Sequence, residues 1–549
     1  MSPRLKRGTT ATPTATPATG GPGEPSARSV RAFVKSRTRG PSTLLDRYVA
    51  MFGLAIVAAV VGKPVSSAIA GMAGQAEAAH VGAGMALIVL AFAGVVAAAR
   101  AGGPMLVSAA DAAWLLLSPL DRRGVLGRTA RVLLLVAIVA GMALGLGLLA
   151  VLGAPDQLIW RLAGAMVLGV SASVGAMAMA VLAQMSQTWN AWLSAALVVL
   201  LAMAVLAASG TVRSVLVAVA GAPLSAVSSV AVGSATAATL LVRRAWTTLD
   251  RIPSRTILAT STRAGHVATA AVAVDPGALT WIAEDNHWRA RKLRSRAWPS
   301  LPAPFALAWQ DWRRAGRRPG RLAVVFAATA LPAVLAQAGN AGAAEVSVLA
   351  GALWVAAANT SGTRRDGDNP SLMRLMGIGP RAAMAARALL PALLCGAWTA
   401  AALTGLTMVG GLPAGAWWWL FGPLISPAVA AAGLRMARRR PVDHSMPVID
   451  TPGGAIPTGP LIWALTGPDL ALIGCLPLIA ALTTRPAGLA EFLGAQAVLG
   501  VVVLAGYLAR VRPDQELRGG DRQRSTVPRC PRFLGFLGRI HRDGGDRQT

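Results

Sequence analysis

Residues 115–131 read LLLSPLDRRGVLGRTAR and gather side chains suited to holding an anionic partner. Pro119 and Asp121 set a turn, and Arg122, Arg123, Arg128 and Arg131 follow it. Guanidinium groups make planar, multi-donor contacts with carboxylates or carbonyls. Asp121 would suit the positive start of a short helix behind the turn. Position by position, 259 residues later, residues 375–388 read LMGIGPRAAMAARA. Arg122 then falls on Arg381, Arg128 on Arg387 and Asp121 on Pro380. Two uses fit a basic element repeated in this way. It is a pair of docking elements, or a pair of loops whose arginines only hold them on the inner side of a membrane.

Other chemistry is sparse. The lysines are Lys6, Lys35, Lys63 and Lys292, and none follows a Gly-x-x-x-x-Gly pattern, so the chain has no phosphate-cradling P-loop. It is therefore expected not to be an enzyme and to hold no cofactor itself. Glu77 with His80, and Glu284 and Asp285 with His287, are the nearest approaches to metal clusters. Metal sites need three or four converging ligands, so no metal is expected. Acids facing outward or within apolar stretches are Glu77, Asp156, Glu345, Asp469 and Glu491. Asp469, behind Pro468 in an apolar run, has two readings. It is an intramembrane functional acid, or the cap of a re-entrant turn at the outer mouth.

The elements that carry these residues follow from composition. Hydrophobic residues make up 54% of the 549, charged residues only 14%, and the mean hydropathy is +0.55. Long runs lack charge altogether, as membrane-spanning helices do. Twelve spans are expected, at 48–68, 82–99, 132–152, 162–183, 191–208, 214–242, 322–338, 344–360, 388–410, 416–434, 460–483 and 488–509. The sixth is overlong and interrupted by Pro223. With residue 1 inside, 48 of the 52 Lys and Arg lie in inner segments, and only Arg161, Arg213 and Arg485 in outer loops. That bias places both termini inside. It also accounts for the net charge of +29 without any nucleic acid.

The expected class is thus an all-α polytopic membrane protein of two six-helix repeats. Residues 1–45 form a disordered basic tail, 46–242 the first half and 243–320 a basic inner linker. Residues 321–510 form the second half and 511–549 a second basic tail. The linker ends in ALAWQDWRRAGRRPGR, where Trp309, Trp312 and the arginines suit a helix lying on anionic lipid at the inner surface. Cys395, Cys475 and Cys530 have no metal or disulfide pattern.

The run Leu116-Leu117-Ser118-Pro119-Leu120-Asp121-Arg122-Arg123 between two spans resembles the segment of bacterial type-2 ABC exporter permeases that contacts the ATPase. Over about residues 30–510 the chain is similar to a family of long, uncharacterised membrane proteins from high-GC Gram-positive bacteria that themselves resemble ABC permeases. The resemblance implies six-helix halves, a short coupling helix in each and a separate ATPase docking on 121–128 and 381–387. ATP would then act through that partner. The second copy departs from the pattern at Gly377, Gly379, Pro380 and Ala382. Readings of other classes are a membrane scaffold or lipid-binding protein and, third, a membrane-bound transferase.

Overall fold

The computed structural model describes residues 80–105, 122–153, 156–254, 257–258, 261, 299–368, 375, 377–413, 417–440, 442–443, 445–451 and 454–511. The expected span at 48–68, both tails, most of the linker, and Pro119 and Asp121 lie outside the described residues. What is described is helical apart from one antiparallel hairpin, β1 (Val448–Thr451) with β2 (Gly454–Pro457), in which Val448 faces Pro457. Ten helical segments among the described residues are long and apolar enough to cross a membrane. This is a multi-pass membrane protein.

The chain divides into two compact units. The first holds Leu90–Ala202 and Ala218–Ala264. Its helices are most of α1 (Val81–Gly102), α2 (Arg122–Leu152), α3 (Leu158–Ala183), most of α4 (Gln187–Ala208), the end of α5 (Arg213–Ala220) and α6 (Leu224–Thr247). Here α3 is sandwiched between α2 and α6. The α2–α3 approach is backbone to backbone. A Cβ on Gly145 would lie 2.6 Å from the Ala165 carbonyl oxygen, and one on Gly141 2.8 Å from that of Gly169. Small residues permit this closeness, and in lipid it is van der Waals packing that drives helix association.

The second unit takes in Glu77–Val89, Met203–Val217 and the chain from Gly265 onward. Its helices are α7 (Ala303–Gly316), α8 (Pro319–Ala327), α9 (Leu331–Gln337), α10 (Ala341–Ala358), α11 (Ser361–Asp368), α12 (Pro380–Met408), α13 (Phe421–Ala437), α14 (Thr458–Leu465), α15 (Pro468–Gly474), α16 (Leu476–Thr484) and α17 (Ala490–Ala509). Here α13 packs between α12 and α17, with α10 alongside. Its core is built on Trp398, Trp418, Phe421 and Ile425.

Two expected spans are broken. The interruption at Pro223 separates α5 from α6, as the sequence reading anticipates. The span expected at 460–483, for which a turn at Asp469 is one of the two readings, is three short helices, α14, α15 and α16. Pro468 and Pro477 each remove an N–H and open the new helices, and Gly467 takes φ +109°, which Cβ-bearing residues avoid. Backbone groups freed by such breaks must find partners away from water. Gln496 of α17, fully buried, inserts its amide where the ladder of α15 and α16 opens. Its Oε1 accepts from the Leu478 N–H (3.2 Å) and its Nε2 donates to the Gly474 carbonyl (2.6 Å).

Candidate functional site

The first basic element opens α2. Arg122 and Arg123 lie in the first turn of this 31-residue helix rather than on a separate short one. Immediately behind them Val125 and Leu126 are buried in an apolar cluster with Val181, Leu182, Leu249 and Ile252. This clamps the start of α2 to the ends of α3 and α6. Arg128 is exposed, and Arg131 donates back to the Gly127 carbonyl. In the second copy Pro380 is the first residue of α12, where its missing N–H costs nothing. Arg381 follows, exposed, with Nη2 donating to the Ala509 carbonyl at the end of α17 (3.2 Å). Both copies thus place arginine in the first turn of a helix, where the helix dipole disfavours a cation. An anionic partner at that end would remove the conflict.

Arg387 departs from the expectation. It is 3% exposed and holds two carboxylates of its own chain. Nη1 lies 2.6 Å from Asp311 of α7, while Nε and Nη2 grip Asp366 of α11 side-on at 2.8 and 3.0 Å. A guanidinium occupied in this way has no face left for a docking partner, so Arg387 leaves the docking set. Burial pushes the Asp311 carboxyl above the ordinary carboxylate range, against the downward pull of Arg387. The site is dry.

Asp469 is also relocated. It does cap a turn, its Oδ1 accepting from the Gly467 and Leu470 N–H groups, both at 2.8 Å. The turn, however, meets the C-terminal end of α13. Arg435 Nη1 lies 2.9 Å from Asp469 Oδ2, and Arg439 donates to the Thr466 carbonyl (2.6 Å) while stacking on Trp463. In the expected orientation that cationic end is the inner one, not the outer mouth. The carboxylate is part-exposed and paired, so it does not sit as an acid free within the apolar layer.

Two further groups escaped the sequence reading. Arg161, expected only as an outer-loop cation, is buried against the α5–α6 break. It pairs with Asp156 (2.9 Å) and donates to the Ala220 (2.7 Å) and Ala222 (3.2 Å) carbonyls that the break leaves open. Arg485 pairs with Glu345 (3.3 Å). Arg161 lies 59 and 61 residues before the carbonyls it binds, so no local pattern pairs them. Arg161→Leu is expected to destabilise the first unit by about 2–4 kcal/mol, because two carbonyls and Asp156 lose their donor. Arg161→Lys should recover only part of this. Thermal unfolding in detergent checks both, and an unchanged midpoint for Arg161→Leu would show the carbonyls to be solvated.

A protein-family profile matches residues 75–447, from before α1 to the end of the segment that follows α13. The chain belongs to a family of unknown function, DUF6297. No curated protein and no solved structure matches it. The family region takes in both basic elements and the Arg387 triad, and stops before the β1–β2 hairpin.

Proposed function

We propose that this member of the family is the permease subunit of an ABC-type transporter in a bacterial cell membrane, with both halves fused in one chain. Each half would contribute six spans, twelve in all, with both termini inside. A separate ATPase would dock at the start of α2 and, more weakly, at the start of α12. Closure of the ATPase pair on ATP would push these ends and rock the halves. Apolar spans built from small residues, with few buried charges, suit export of an amphipathic or lipid-like cargo.

What supports this reading is a similar order of helix packing in the two units. In one unit α3 lies between α2 and α6, and in the other α13 lies between α12 and α17. The helices α2 and α12, 31 and 29 residues long, both begin with the basic element at the same sequence offset. Pairing of two of the three outer arginines with Asp156 and Glu345 sharpens the inner excess of cations.

Purification in mild detergent tests the proposal. An ATP-hydrolysing subunit should co-purify in near-equal amount, and its turnover should rise on reconstitution with this chain. Recovery of anionic lipid but no nucleotide hydrolase would favour the lipid-binding scaffold, to which the exposed aromatic residues of α7 also lend support. Loss of function on Asp469→Asn with the membrane helices intact would favour the transferase reading.

A further inference from the structure

Helix α7 is turned inside out. Its outward stripe is Phe305, Trp309 and Trp312, which are 59%, 37% and 51% exposed. The opposite face carries Leu307 and an acid, Asp311, at 3% and 5%. Water alone would favour the reverse arrangement, because burying three aromatic side chains gains far more than burying one carboxylate. Something specific must therefore hold Asp311 inward, and something less polar than water must receive the aromatic stripe.

The first requirement is met by Arg387. It joins Asp311 of α7 to Asp366 of α11 from its own place on α12, and its Nη1 lies 3.5 Å from the Leu307 carbonyl. The joint is fitted closely. A Cβ on Gly362 of α11 would come within 2.6 Å of both Arg387 Nη1 and Asp311 Oδ1, so only glycine leaves room for the triad. A buried ion triad is a poor source of net stability, since well-packed apolar residues of the same volume are often as good or better. It is an effective selector of one orientation, because any rotation of α7 strands a charge in a buried site. The second requirement is met by the lipid–water interface. Indole rings settle at headgroup depth, and the last turn of α7 carries Arg313 and Arg314, directly before the apolar segment Pro319–Gln337.

We infer that the Asp311–Arg387–Asp366 triad is an orientation latch: it fixes α7 with its acid inward and so presents Phe305, Trp309 and Trp312 as an anchoring surface for the interface of an anionic bilayer. The inference deepens the reading of this chain as a membrane protein with an interfacial helix, and it stands whether or not an ATPase docks.

The test uses the full-length chain carrying Cys530→Ser, in nanodiscs of phosphatidylglycerol and phosphatidylethanolamine. Cys395 and Cys475 are buried and serve as internal controls for folding. Leu307→Cys should resist a membrane-impermeant maleimide. Adding Asp311→Ala, which leaves the Arg387–Asp366 pair intact, should raise its labelling rate about tenfold or more, the scale expected for loss of one charge-assisted hydrogen bond. Gly362→Ala, which keeps all three charges but displaces them, should raise it as well. Unchanged labelling in both variants would overturn the latch and assign the orientation to packing of Leu307 on Ala383 and Ala386. In a separate arm a spin label at Phe305→Cys should be relaxed by lipid-soluble oxygen more than by an aqueous nickel complex. Relaxation by the nickel complex alone would overturn the anchoring surface while leaving the latch in place.

Discussion

Arg387→Ala is expected to be the most damaging single substitution in the second unit. The guanidinium sits between two carboxylates whose side chains are 6% and 11% exposed. Removing it leaves both acids facing each other in a buried pocket without the guanidinium that bridges them. Breaking a buried pair from one side costs about 3–5 kcal/mol, against about 5–15 kcal/mol for a whole domain. The variant should therefore unfold at markedly lower temperature in detergent, or fail to accumulate. Replacing all three residues together, Arg387→Met with Asp311→Leu and Asp366→Leu, should restore thermal stability to near that of the parent, because no charge is then stranded. A scan of intrinsic fluorescence over temperature distinguishes these outcomes. If Arg387→Ala melts with the parent, the carboxylates have access to water and the triad does not act as a unit.

The second large effect concerns Arg122 and Arg123. As loop anchors they need only sit on one side of the membrane, and the many other basic residues of the inner segments would hold the orientation without them. As docking residues they would contribute fork-like contacts at the start of α2, and truncating such contacts once buried costs roughly 2–5 kcal/mol. That is about 30-fold in affinity at the low end. Because Val125 and Leu126 clamp the helix start independently, Arg122→Ala with Arg123→Ala should leave insertion and abundance near normal. Co-purification of the ATPase, or its stimulated turnover, should fall about 30-fold or more. Arg381→Ala should do less, since position 382 is alanine and Arg381 already binds the Ala509 carbonyl. Full ATPase association in the double variant would reduce the element to a topological anchor.

The sequence by itself determined that this is a helical membrane protein, where most of its spans lie and where the sixth is interrupted. Those properties are local. Hydropathy is summed over a window of about 20 residues, and at Pro223 the missing N–H and the fixed φ interrupt the helix locally. The tertiary structure decided what the polar residues do. Arg387 and Arg128 read alike in sequence, each a cation near the start of a span, yet one is buried between Asp311 and Asp366 and the other is exposed. The carboxylates that make the difference lie 76 and 21 residues away on other helices. Asp469 reads as a lone acid in an apolar run until α13 brings Arg435 to it, and Gln496 reads as a chance polar residue until α17 meets the break between α15 and α16. In an apolar interior every polar group needs a partner, and which partner it finds depends on which helices meet. No window along the chain contains that information.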